Sequence, residues 1–501
     1  MARDSQAALV ALHRFGLGAR GGAADDFVNA VSDPRGFVKS ELNRPSGARL
    51  ELPGLSSTAA LAETAFAYQR EVKQAREGAA KSRRQSSANS APEMSANGSG
   101  GAGSADRSDA NAMAPNEAMQ NKPERQPEQP LNIIQKTYRA EALARLQRAM
   151  VAESGFLERL VAFWSNHFCI SANKGALARI WAGSFEREAI RPHVLGRFGD
   201  MLQAVEQHPA MLFFLDNQQS IGPDSRAGRN RKRGLNENLA REIMELHTLG
   251  VDGGYSQADV TSLARIITGW TFAGRQGQLG APGTFVFNDN AHEPGAQRLL
   301  GKTYDDRGRA QGEAALADIA GHPSTAKFIA TKFARHFVAD DPPPILVAKL
   351  QDVFRSTDGD LKALTITVVD SDEAWRAPLN KLRSPYEFLV ATGRLLAQVP
   401  DDPGRYLAGL NALGQPLWSP AGPNGFADTN AAWAAPEGMK LRLDISAQIA
   451  SRLPPNIDPR DLMELALADA VSPETRQTIE HAESRQQAMA LLLMSPEFQR
   501  R

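Results

Sequence analysis

The chemistry available to this sequence is concentrated in a few histidines and carboxylates. His167 ends the aromatic-rich stretch FWSNHF, and His292 and Glu293 lie in the turn-rich FNDNAHEPG with Asp289 nearby. His322 precedes Pro323 where a helical run opens, and Glu242 and Glu245 belong to NENLAREIMELHTLG, residues 236–250. Imidazole with carboxylate suits Zn²⁺ or Fe²⁺, and equally suits acid–base catalysis near neutral pH. His167, Glu242, Glu245, His292 and His322 are therefore the candidate catalytic set. Their spacing offers no local site, because H-E-x-x-H, Glu-x-x-His and histidines four residues apart are all absent. Metal ligands would have to converge from distant segments. No cofactor is implied strongly; a divalent metal is the one these residue types admit.

At 100° per residue, the 236–250 stretch gathers Leu239, Ala240, Ile243, Met244 and Leu246 on one side of a helix. Glu237, Asn238, Arg241, Glu242 and Glu245 occupy the other, with Glu237, Arg241 and Glu245 spaced as an ion-pair ladder. Asn236 suits the N-cap and Gly250 the left-handed closing position. His247 falls inside the apolar arc, where it needs a buried hydrogen-bond partner. If neighbouring chain roofs the polar face, its ionised groups are held there for a purpose; if solvent covers it, the helix is scaffold.

Ahead of this helix, DSRAGRNRKRG (224–234) carries Arg226, Arg229, Arg231, Lys232 and Arg233. Cations before a helix N-terminus make an anion site, so Arg231, Arg233, Asn236, Asn238 and Arg241 form a candidate anion-binding set. The alternative is a solvated basic loop. No aromatic residues interleave with the cations, and nucleic acid is not an expected partner.

Other motifs lack their context. Gly16, Gly18 and Gly21 have G-x-G-x-x-G spacing, but helical surroundings and the loop-like NRPSGARL downstream do not make a dinucleotide fold. STDGDL has Phe354 where the first calcium carboxylate should stand, and Asp360 reads better as a helix cap. No G-x-S-x-G elbow occurs. LGQPLWSPAGPNGF (413–426), with its prolines and glycines, reads as a rigid loop over a cleft floored by the 236–250 helix, or as a clamp between lobes.

The elements that must position these residues are mostly helical. Leu61, Ala65, Tyr68 and Val72 share one face of a helix starting near Ser57. Ser256 and Asp259 cap a helix with Val260, Leu263, Ala264 and Ile267 inward and Gly269 at its end. Residues 325–337 and 346–354 read likewise. TFVFN (284–288) is the best strand, while LTITVV (364–369) fits strand or helix. The fold class is mainly α: a multi-helix, two-lobed fold with at most a small hairpin. Residues 1–501 form a single helical domain, interrupted at about 77–130 by a Ser-, Ala-, Gly- and Pro-rich stretch expected to be disordered.

Lys plus Arg equals Asp plus Glu at 57 each, so net charge draws the chain neither to nucleic acid nor to an anionic membrane. Cys169 is the only cysteine, which excludes an internal disulfide framework. No apolar run is long enough to span a bilayer. MARDSQAALVALHRFG lacks the marks of a signal peptide, so a cytoplasmic location is expected.

Several ordered segments together carry a resemblance. NENLAREIMELHTLGVDGGYSQADVTSLARIITGW (236–270) comes with LHRFGLGA, FWSNHF, HPAMLFFLDN, FNDNAHEPGAQRLLG, HPSTAKFIATKFARHFVADDPPP, TDGDL, KLRSPYEF, LGQPLWSPAGPNGF and Trp433. The chain thereby resembles the bacterial domain of unknown function family 1800 (DUF 1800) over nearly all of its length outside the 77–130 stretch. The resemblance implies a largely helical fold without an established activity. It also implies a phosphatase- or sulfatase-like partner of family 1501 encoded nearby, and export as an alternative location. In the family an aromatic can replace the histidine of ELHTLG, which weakens a catalytic role for His247. Two functions are therefore expected. The first is a helical binding or accessory protein whose polar cleft accepts an anionic group or a partner protein. The second is a metal-assisted or acid–base hydrolase using the His/Glu set.

Overall fold

The amphipathic runs fold into a mainly α-helical protein. The computed structural model describes residues 2–22, 25–44, 47–88, 131–229 and 234–501. Among these residues the sheet content is two small antiparallel pairs. Trp270–Phe272 pairs with Phe285–Phe287, the strand expected in TFVFN, and Gln297–Leu299 pairs with Lys302–Tyr304. No helix among the described residues is long and apolar enough to cross a membrane.

LTITVV resolves as helix, within Leu361–Asp370. Asp360 Oδ1 accepts the Ala363 N–H at 2.9 Å, and Leu361, Leu364, Thr365, Val368 and Val369 then share a buried stripe. Capping and a 3.6-residue period outweigh the β-branched composition there. Ser256 and Asp259 form the expected capping box of Gln257–Ile266. The 77–130 interruption begins too early, because residues 77–88 continue the helix Thr58–Ala88; residues 89–130 lie outside the described set. From Lys73 to Ser82 every side chain of that helix is exposed. Deleting residues 80–128 is accordingly expected to shift the melting temperature by no more than ~2 °C, which differential scanning calorimetry would check.

One contiguous cluster of buried side chains runs from Ala8 to Phe498. It is unusual in enclosing long cations: Arg14, Arg159, Arg191, Arg383, Arg394, Arg442 and Arg501 are each 2% exposed or less. Several of them satisfy backbone carbonyls in loops and at helix C-termini. Arg394 donates to the carbonyls of Gly18, Ala149 and Glu153, each at 2.9 Å, and Arg14 to Pro378 O at 2.7 Å.

Three helices set up the site. They are Phe156–His167, Pro323–Phe337 and Pro385–Leu395. The segment 413–433 passes over them.

Candidate functional site

His322 starts the second of these helices by accepting the Ser324 N–H on Nδ1 at 3.2 Å. His208 does the same for Ala210 ahead of Pro209–Phe214, at 3.1 Å. In both His-Pro pairs the imidazole is an N-cap and the proline fills the first turn. The Pro323–Phe337 helix then carries Lys332 and His336 four residues apart, on one face. Ser384 and Glu387 form the capping box of Pro385–Leu395, with Glu387 buried.

Segment 413–433 is stitched to this floor as a roof. Asn166 clamps Phe426 reciprocally, donating to its carbonyl at 2.9 Å and accepting its N–H at 2.8 Å. Gly425 fits because a Cβ there would stand 2.5 Å from Asn166 O, and its φ of +73° suits glycine. Tyr138 donates to Leu417 O, Ser171 to Pro420 O, and Asn430 receives the Leu382 N–H. Beneath the roof lies a cavity of about 300 Å³. Phe163, Trp418, Phe426 and Trp433 supply its apolar wall.

Two ion networks flank the cavity. On one side Glu186 meets Arg145 at 2.9 Å and Arg191 at 3.1 Å, and it accepts from Trp418 Nε1 and Ser165 Oγ, each at 3.0 Å. On the other, Glu387 meets Arg159 at 3.1 Å and Arg501 at 3.0 Å. Burial alone would raise the Glu387 carboxyl, but Arg501 and Arg159 outweigh it and hold the group at about 2. Asp428 Oδ2 lies 2.7 Å from His336 Nδ1, while Lys381 Nζ and Arg501 Nη2 approach Oδ1 at 3.1 and 3.4 Å. Despite burial, His336 first, then Lys381 and Arg501, keep Asp428 well below the usual carboxylate range. Asp428 is thus ionised and accepts from Nδ1, which leaves the lone pair of His336 on Nε2. That nitrogen is buried without a hydrogen-bond partner among the described residues. Burial, with help from Arg501 and Arg159, lowers His336 to about 4 against the pull of Asp428.

Lys332 differs from its neighbours. Arg145, Glu186, Arg335, His336, Glu387, Asp428 and Arg501 each have hydrogen-bond or ion-pair partners. Among the described residues, Lys332 has no hydrogen bond or ion pair; the Phe328 ring lies 5.3 Å from Nζ to its centroid, and Asp428 acts on it without an ion pair. Burial brings its ammonium down to about 8. Cys169 also lines the cavity, but its thiol is pushed up to about 12 by burial and donates to Pro423 O at 3.2 Å. Such a thiol is a poor nucleophile.

Of the five candidate catalytic residues, His167 is the one in this cavity's wall. Its Nε2 donates to His247 O at 3.0 Å, and burial lowers the imidazole well below its ordinary value. Glu242 and Glu245 are half-buried on the 238–248 helix, where burial raises the Glu242 carboxyl. His292 sits 3.0 Å from Thr268 O and 3.7 Å from Asp306, and His322 is the cap described above. No three His, Cys, Asp or Glu side chains among the described residues are grouped as metal ligands would be.

The anion set is similarly dispersed. Arg231 and Arg233 lie outside the described residues. Asn236 accepts the Asn238 N–H at 3.0 Å and donates to Asp216 O at 3.2 Å. The Asn238 side chain is exposed, and Arg241 is engaged by Glu237 at 3.2 Å and Gln257 at 3.0 Å. The polar face is therefore edged by the Gln257–Ile266 helix without being roofed. The expected ladder stops at Glu237–Arg241: from Ile243 to Thr248 the helix widens to π geometry, which rotates Glu245 out of line. His247 finds its buried partner in Glu206, 2.8 Å away. The 413–426 loop does cover a cleft, but the floor is built from 156–167, 323–337 and 385–395.

Lys332, His336, Glu387, Trp418 and Asp428 escaped the sequence reading. The four-residue spacing of Lys332 and His336 was the one local signal. Asp428 and Trp418 reach the site only through the roof. A wider groove of about 900 Å³, between residues 389–412 and 441–453, has no lining side chain among the described residues with a buried polar atom lacking a partner.

Neither a curated protein nor a solved structure matches the chain. A family signature does, described as "Protein of unknown function (DUF1800)", and it covers residues 10–500. The match takes in every element that builds the roofed cavity, and the chain belongs to the DUF1800 family.

Proposed function

We propose that the protein binds a small carboxylate with a flat apolar body in the cavity beneath the 413–433 roof. The observation that carries this reading is Lys332, a cation lining the cavity with no hydrogen bond or ion pair among the described residues, whereas the other charged side chains of the wall each have one. A half-buried ammonium without an ion-pair partner raises the free energy of the empty protein, and an incoming anion relieves that cost. The aromatic wall of Phe163, Trp418, Phe426 and Trp433 gives the rest of the ligand a place to stack. The volume, about 300 Å³, suits a molecule of benzoate size.

Isothermal titration with benzoate, phenylacetate and the neutral analogue benzyl alcohol tests the reading. Benzoate should bind at least ~10-fold more tightly than benzyl alcohol, and Lys332→Met should abolish that preference. Equal affinities, or a preference that survives in the variant, would refute it.

A further inference from the structure

We propose that His336 and Asp428 form a carboxylate–imidazole general base that activates water in this cavity, and that the substrates are small carboxylic esters. This rests on the cavity being the ligand site proposed above. The dyad has the required geometry: Nδ1 lies 2.7 Å from an aspartate anchored by Lys381 and Arg501, and Nε2 is buried without a protein partner among the described residues. Two of the groups lining the cavity are committed elsewhere: Ser165 donates to Glu186 and Cys169 donates to Pro423 O. The oxygen deprotonated at Nε2 is assigned to water.

One helical turn before His336 and lining the same cavity, Lys332 is the positive charge assigned to the oxyanion. Water attacks the ester carbonyl carbon as Nε2 takes its proton. The tetrahedral oxyanion faces Lys332, the acyl C–O bond breaks, and the imidazolium returns the proton to the departing alkoxide. The products are a carboxylic acid, which ionises beside Lys332, and an alcohol; water is the only co-reactant.

His336 is faced by Lys332 and Arg335 from its own helix, by Arg159 and His167 from 156–167, and by Glu387 from 385–395. Lys381, Asp428 and Arg501 complete its surroundings. Within this set, the limbs of the rate profile are assigned to His336, neutral above about 4, and Lys332, charged below about 8.

The full chain is assayed with 4-nitrophenyl acetate and 4-nitrophenyl benzoate. Multiple turnovers are expected, with a bell-shaped pH dependence of kcat/KM between those limbs. His336→Gln should lower kcat by ~100-fold or more with little change in KM, and Asp428→Asn by about 10-fold. The wild-type pH profile needs no variant, so misfolding of His336→Gln does not spare the proposal. Absence of turnover, a single stoichiometric burst from acylation of Lys332, a flat profile from pH 4 to 8, or full activity in a folded His336→Gln would each overturn it. Benzoate binding without turnover refutes the catalytic proposal alone, whereas loss of charge-selective binding removes the site itself.

Discussion

Lys332→Met is expected to make the protein more stable while destroying its preference for anions. The ammonium is lowered from 10.5 to about 8 because partial burial removes more solvation than Asp428, which acts on it without an ion pair, restores. Its folded form therefore carries an electrostatic cost that methionine, similar in length and apolar, does not. With residual hydration discounted, the gain at pH 7 should be ~1–3 kcal/mol. The cost is fully present below pH 8, where the lysine is charged in both states. Between 8 and 10.5 the folded state loses its proton first, and wild-type stability rises towards that of the variant. Above 10.5 the difference disappears. Chemical denaturation at pH 7 and pH 10.5 measures both arms; a variant less stable at pH 7 would show that Lys332 is structural. Gain of stability with loss of binding is the pattern expected of a group kept for function.

Glu387→Gln should have the opposite and larger effect. This carboxylate is the anion for Arg159 and Arg501, and its field also reaches Arg383 and Arg442. All four arginines are buried, and the Arg383 Nη atoms have no hydrogen-bond partner among the described residues. Glutamine keeps the shape but leaves this cluster of cations without its central charge. Removing one partner from a buried pair costs roughly 3–5 kcal/mol, so the variant should unfold at markedly lower denaturant concentration. The same physics sets an acid limit for the wild type. Because the folded carboxyl titrates at about 2 instead of 4.5, its contribution is complete above pH 4.5 and declines as pH falls towards 2. A Glu387→Gln variant should lack that segment of the acid-unfolding curve, and an unchanged midpoint would show that the arginines are satisfied elsewhere.

Much of the scaffold is written locally. Capping residues followed by a 3.6-residue apolar period specify Gln257–Ile266, and Asp360 followed by Leu361, Leu364 and Val368 specifies a helix in spite of β-branched residues. These signals act within one or two turns, so a single chain segment contains them. The ordered motifs from LHRFGLGA to LGQPLWSPAGPNGF likewise place the chain in its family, because their identity and order are properties of the sequence alone.

The chemistry of the site is decided by long-range contact. A histidine looks the same on paper as a cap (His322), as a buried partner of Glu206 (His247) or as half of a dyad (His336). What separates them is the partner folding gives each ring, a backbone N–H for His322 and a carboxylate for His247 and His336, and how much water it removes. His336 meets Asp428 across 92 residues, and Trp418 reaches Glu186 across 232. Lys332 is the clearest case: the sequence supplies the ammonium, but only the packed walls around it, which outweigh the pull of Asp428, lower its proton affinity. Desolvation and charge pairing depend on the whole surroundings of an atom, and those surroundings exist only once the chain has folded.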